Sequence, residues 1–134
     1  MIDLSTILLL NKETRNPAGL FFNSCGVAQN VFRLTLVDRN KHKAYITLAC
    51  INGVWAGAAH VFGPTYGMSG PIIRADFAFS SIEDCVADSM KHIDGYISHT
   101  TPIFKEAAEL RRNFDAWMKL PTDEKLKTLT YEEV

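Results

Sequence analysis

The sequence predicts an α+β domain: an antiparallel sheet of about four strands, then two amphipathic helices and a short C-terminal helix. Three observations carry this expectation. Apolar and polar residues alternate with period two through Val31–Val37 and Ala44–Cys50. Asn52-Gly53 is a strong hairpin signal, because a type I′ turn needs positive φ at both central residues. From Ile82 onward the apolar residues recur every three or four positions, as on one face of a helix. Strands come first and helices second, which separates α+β from a βαβ alternation.

Residues 4–10 read equally as a buried strand or a short helix, since periodicity does not arbitrate over so short a run. Asn11–Asn16, Pro17 and Gly19 read as a loop, and residues 20–23 as a brief strand before the turn Ser24-Cys25-Gly26. In the first clear strand Phe32, Leu34 and Leu36 share one face, while Val31, Arg33, Thr35 and Val37 share the other. The charged run Asp38–Lys43 resists burial and is expected at a hairpin tip. Ala44–Cys50 returns, the Asn-Gly turn follows, and Val54–Phe62 is the third strand.

Residues 63–71 hold three glycines and two prolines, which leaves little room for regular structure. Ile72–Phe79 alternates again and is expected as strand four. Ser80 and Glu83 fit a capping box, and the helix they open should reach about Ser98. Thr101-Pro102 fits an N-cap with proline at the first helical position. The second helix carries Phe104, Leu110, Phe114, Trp117 and Met118 on one side and ends at Leu120-Pro121. A short helix through Leu129 and an acidic tail complete the chain.

The 134 residues suit one domain, 1–134, within the usual range of roughly 100–150 residues. The formal net charge of −1 gives no overall attraction for a polyanion, so any nucleic-acid contact would need a local basic patch. Cys25, Cys50 and Cys85 are odd in number and widely spaced, which argues against a disulfide framework. The apolar run Ile7–Leu10 is too short for a membrane span or a signal-peptide core, so no membrane association and a cytoplasmic location are expected.

Asn52-Gly53-Val54-Trp55, Gly63-Pro64, Gly67, Pro71 and Phe79-Ser80-Ser81-Ile82-Glu83 form a loose motif series across about half the chain. The series resembles small phage and plasmid accessory proteins that run hairpin, tryptophan strand, glycine-rich loop and capped helix. That resemblance implies an accessory binding protein of a mobile element, and it brings no catalytic residue with it.

No Walker loop, dinucleotide fingerprint, H-E-x-x-H or G-x-S-x-G motif is present, so no catalytic residue, cofactor or metal site is expected. His92 and His99 are two helical turns apart, roughly 10 Å by helix rise, too far to share one metal. The four histidines are therefore expected at the surface. Tyr66, Gly67 and Met68 in the glycine-rich loop, with Arg33, Arg74 and Trp55 on the sheet, are the candidate ligand contacts. Phe114, Trp117 and Met118 are the candidate seam of a homo-oligomer, because Val31, Val37, Tyr45 and Ile51 leave the second sheet face rich in apolar residues. The leading expectation is a non-catalytic homo-oligomeric protein that binds a protein or a small polar ligand. A nucleotide or nucleic-acid binder is the second expectation. The third is a small enzyme centred on loop 63–71, which needs Asp76, His60 and a polar nucleophile to converge.

Overall fold

A computed structural model describes residues 26–28, 30–51, 53–98 and 106–133. The expected elements at residues 4–10 and 20–23, the Thr101-Pro102 helix start, Cys25 and His99 lie outside the described residues. Strands β1 (Asn30–Arg39), β2 (His42–Ile51) and β3 (Val54–Phe62) form an antiparallel meander. A two-residue strand β4 (Gly67–Met68) follows, then a 3₁₀ turn (Arg74–Asp76). Helices α1 (Ile82–Ile97), α2 (Ala107–Met118) and α3 (Thr122–Lys127) come next, and β5 (Thr130–Glu133) closes the sequence of elements. The sheet has five strands in the order β4-β3-β2-β1-β5. The architecture is α+β, as expected.

The first hairpin is tighter than its charge suggests. Arg39 pairs with His42, leaving Asn40 and Lys41 as the whole tip, and Asn40 adopts φ 48°. Asparagine tolerates that left-handed conformation better than most residues, so the charged side chains extend from strand ends rather than from a wide loop. The Asn-Gly hairpin falls where expected, with Ile51 paired to Val54 and Gly53 at φ 80°.

A bulge breaks the alternation of β1. Thr35 pairs with Tyr45 and Val37 with Ala44, so Leu36 is the extra residue. Val37 thereby joins the Ala44 face instead of the Arg33 face. Asn113 on α2 donates to the Leu36 carbonyl at 2.6 Å, which satisfies an acceptor at the irregularity.

The expected fourth strand at Ile72–Phe79 is not a strand. The Asp76 carboxylate accepts from the Ile73 amide at 2.9 Å, and the Asp76 amide donates to the Ile73 carbonyl at 3.0 Å. These local bonds close a turn and compete with ladder pairing, as short carboxylates often do. Among the described residues the segment meets other backbone only at its ends: Ile72 and Ile73 against Ala28 and Val27, and Ala78 and Phe79 against Trp55. Two other segments take the sheet edges. Gly67 and Met68 pair with Phe62 and Val61, and the acidic tail pairs with β1 over Asn30–Arg33.

The helices cover one sheet face. α1 packs on β3 and β2, and α2 packs on β1. Gly57 admits α1 closely: a Cβ there would sit 2.8 Å from Ser89 Oγ and 2.9 Å from Cys85 Sγ. Phe32, Leu34, Ile46 and Leu48 meet Ile82, Val86, Met90 and Ile93 in the buried core, with Leu110 and Trp117 from α2. No described helix is long and apolar enough to cross a membrane.

The cap of α1 is one residue later than the capping-box reading. Ser81, not Ser80, is the N-cap, and its Oγ accepts from the Asp84 amide at 3.1 Å. Glu83 turns instead to α3, accepting from Thr122 Oγ1 at 3.2 Å and lying 3.8 Å from Lys125 Nζ. Ser81→Ala is therefore expected to cost about 1 kcal/mol. Ser80→Ala, at an exposed position outside the cap, should stay within about 0.5 kcal/mol of the parent. Urea unfolding of both variants checks the assignment, and the reverse order of effects would refute it.

Candidate functional site

The site lies on the sheet face away from the helices. Register places Arg33 beside Thr47 and Thr47 beside Ala58, with Tyr45 beside His60 in the neighbouring row. Since β2 lies between β1 and β3, Tyr45 is held between Arg33 and His60. The Arg33 guanidinium carbon is 3.7 Å from the Tyr45 ring centroid, and the Tyr45 and His60 rings stack at 4.5 Å and 10°. A guanidinium over a phenol ring and two parallel rings are both attractive arrangements. β5 adds an acid from the far edge: Glu132 Oε1 accepts from Arg33 Nη2 at 3.1 Å, and its Oε2 lies 3.1 Å from Nε. The guanidinium is thus held by one hydrogen bond and an ion pair to Glu132, the Nε contact lacking hydrogen-bond geometry, as well as by the ring beneath it.

One wall of the site comes from the end of the glycine-rich stretch. Strand alternation after β4 turns Ser69 toward His60, while Ile72 is buried and its carbonyl accepts from the Ala28 amide at 2.8 Å. Between this wall and the Arg33–Tyr45–His60 stack lies a cleft of about 430 Å³. Its lining mixes Val27, Val31 and Pro71 with the polar ends of Thr47, His60, Ser69 and Glu132. Small-molecule sites fall in this volume range and commonly combine apolar walls with a few fixed polar groups.

His60 is the polar centre of the cleft and is only 6% exposed, so the expectation of a surface histidine fails here. Thr47 Oγ1 lies 2.9 Å from Nε2, and Ser69 Oγ lies 2.6 Å from Nδ1. A neutral imidazole offers one N–H and one lone pair, so one hydroxyl accepts and the other donates. Burial lowers the His60 pKa to about 4; the Arg33 charge pushes the same way, and Glu132 opposes it. The ring is therefore neutral at pH 7, held by two hydroxyls.

A serine against a histidine suggests nucleophilic chemistry, but the partners of the ring argue otherwise. An imidazole with a pKa of about 4 is a weak base for taking a serine proton near neutral pH. The group behind it is the Thr47 hydroxyl rather than a carboxylate that would stabilise an imidazolium. Asp76 is occupied with the Ile73 amide. The arrangement is better suited to holding a rigid polar surface than to activating Ser69.

The sequence candidates separate in space. Arg33 is in the cleft. Trp55 is buried and pairs with Cys50, which puts it on the helix side of the sheet and away from Arg33. Tyr66 packs flat on Gly63, where a Cβ would overlap its ring, and its ring lies 6.4 Å from that of Tyr96. Its hydroxyl is buried without a hydrogen-bond partner among the described residues, and burial, then the neighbouring Tyr96, raises its pKa. Gly67 and Met68 form β4, with Met68 half-buried against the core. Tyr66 and Met68 thus belong to the helix side, and the loop residue that reaches the cleft is Ser69. Arg74 lies in the 3₁₀ turn, and its side chain is outside the described residues.

Trp117 is 4% exposed, and its indole donates to Thr128 Oγ1 at 2.8 Å. Phe114 and Met118 are partly buried against the same core. Of the apolar residues read on the second sheet face, Val31 is buried, Val37 is turned to the helix side by the bulge, and Tyr45 and Ile51 are half-buried. Cys50 and Cys85 sit in the core, and desolvation pushes both thiols up to about 12. Iodoacetamide at neutral pH is expected to leave both unmodified until denaturant is added, as read by mass spectrometry of their peptides. Ready alkylation of the native protein would contradict this burial. Among the described residues no cluster of histidine, cysteine or carboxylate groups is arranged to hold a metal ion. Compared with known proteins, the chain matches no family model, no curated protein and no solved structure.

Proposed function

We propose that this chain is a non-catalytic binding protein that takes a small polar ligand in the cleft between the Arg33–Tyr45–His60 stack and the Ser69–Ile72 wall. The observation that carries this reading is the stack itself: three planar side chains from three adjacent strands, locked by Glu132, Thr47 and Ser69 beside open space. A surface fixed before binding loses little conformational entropy when a ligand arrives. Ser69 is exposed at the rim with its hydroxyl held by His60, and Val31 and Pro71 give apolar contact.

Ligand-observed NMR with a library of small polar fragments tests the reading. Hits are expected on the parent protein and are expected to vanish in Ser69→Trp, whose indole would fill the cleft mouth. A library with no hits sensitive to that substitution would remove the cleft as a binding site. In the same proposal the protein is a cytoplasmic accessory protein of a mobile element, as its motif series implies. It self-associates through the parts of Phe114 and Met118 that remain exposed. Light scattering that finds a strict monomer at high concentration would remove the self-association.

A further inference from the structure

The cleft does not end at Arg33 and Tyr45. Both residues also line a second, more open groove of about 640 Å³ that runs to the β1–β2 tip. Its other walls are Asn40, Lys41, Lys43, Phe62, Gly63 and Pro64. Two features of this groove point the same way. Its charged lining residues, Arg33, Lys41 and Lys43, are all cationic, and no carboxylate lines it among the described residues. Its floor is aromatic, with the Tyr45 and Phe62 rings stacked at 6.2 Å and 28°.

The cations differ in availability. Arg33 is committed to Glu132, and Arg39 nearby is committed to Glu109 at 2.8 and 2.9 Å. Lys41 and Lys43 are exposed, and among the described residues Lys43 reaches a carboxylate only at 4.0 Å, from Asp38, itself well exposed. Exposed pairs at that distance contribute little and are readily exchanged for another anion. The open groove therefore presents two lysines to a polyanion, above an aromatic floor and next to a cleft with hydrogen-bonding ends. Arg33 and His60 already cover the two faces of Tyr45, so Phe62, half-buried and lining the groove, is the ring a base meets. Backbone-tracking cations beside such a ring suit single-stranded nucleic acid, whereas a duplex hides its base faces.

We infer that the groove and the cleft together bind single-stranded nucleic acid, with backbone phosphates on Lys41 and Lys43 and one base entering the cleft beside Tyr45, Thr47 and Ser69. The inference rests on the cleft being a binding site and adds the class of ligand. The whole-chain charge of −1 is compatible with it, because the contact is local and modest. With two phosphates neutralised, the affinity for a single strand should fall about sevenfold between 50 and 200 mM salt.

Fluorescence anisotropy with end-labelled oligothymidine and oligouridine of about 12 nucleotides is the test, since single-strand sites commonly span about 4–16. Expected are saturable binding of at least one single strand, the sevenfold salt effect, and weaker binding of a duplex of equal length. The double substitution Lys41→Glu, Lys43→Glu should weaken binding tenfold or more while leaving the thermal midpoint close to the parent, because both side chains are exposed. Ser69→Trp should weaken it as well. No binding at 50 mM salt, equal binding of duplex, or a double variant as tight as the parent would overturn the inference. Oligonucleotide binding unchanged by Ser69→Trp would overturn the entry of a base into the cleft. If fragments occupy the cleft while oligonucleotides do not bind, the inference fails and the small-ligand reading stands.

Discussion

Between pH 6.5 and pH 4 the protein is expected to lose about 3 kcal/mol of stability through His60 alone. In the unfolded chain this imidazole takes its proton near pH 6.5, and in the folded chain only near pH 4. Between those values the unfolded state holds more protons, so acid favours unfolding. Above pH 6.5 both states are neutral and the contribution is complete; below pH 4 both are charged and nothing further is lost. The cause is first the burial of the ring and second the Arg33 charge, with Glu132 acting in the opposite direction. Urea midpoints measured from neutral pH down to pH 4 check the effect against His60→Gln. The variant should begin less stable, having lost the Ser69 or the Thr47 contact, but should show a shallower acid slope. Parallel slopes in parent and variant would show that the acid loss comes from other groups.

Trp117→Ala should cost about 3–5 kcal/mol, the range for deleting a large buried aromatic side chain. The indole does more than fill volume. It holds Thr128 through Nε1, and Lys125 lies over its ring at 5.4 Å while pairing with Glu83. Thr128 and Lys125 form the turn that launches β5, and β5 carries Glu132 to Arg33. The substitution is therefore expected to loosen β5 as well as to lower global stability. Hydrogen exchange should show faster loss of protection at Thr130–Glu132 than at β2, even under conditions where the variant remains folded. Uniform acceleration across the sheet would separate Trp117 from the positioning of Glu132. Trp117→Phe keeps most of the volume and lacks the donor, so it isolates the contribution of the Thr128 bond.

The two expectations concern one object seen from opposite edges. His60 is fixed by β3 and the loop after β4, while Arg33 is fixed by β5 and, behind it, by α2 and α3. Tyr45 in the central strand joins them. The three side chains therefore have their rotamers set by neighbours on both sides.

Much of the framework was legible in the residue order. Phe32, Leu34, Ile46 and Leu48 alternate because a strand turns successive side chains to opposite faces, and Asn52-Gly53 reverses the chain because of its backbone preference. The stripe from Ile82 to Ile93 marks a helix because its spacing matches the helical repeat. Each of these is a local property, carried by neighbours in sequence. Arg33 could be named for the same reason, as a charge on an alternating strand.

The rest of the site depended on pairings across long separations. His60 reads as one polar residue in an apolar strand, and only register against Tyr45 and Thr47 makes it the centre of a stack. Ser69 follows a segment whose glycines and prolines discourage a strand, yet two residues there pair with β3 and set its direction. Glu132 looks like part of a solvated tail until β1 offers an unpaired edge 99 residues away. Ile72–Phe79 has the pattern of a strand and loses it to a local carboxylate–amide bond at Asp76. By itself the sequence determined the fold class, the first three strands and the helices, because hydrophobic period and turn chemistry act over a few residues. Only the tertiary structure decided which edges were occupied and which polar side chains met, because open strand edges choose partners by proximity in space.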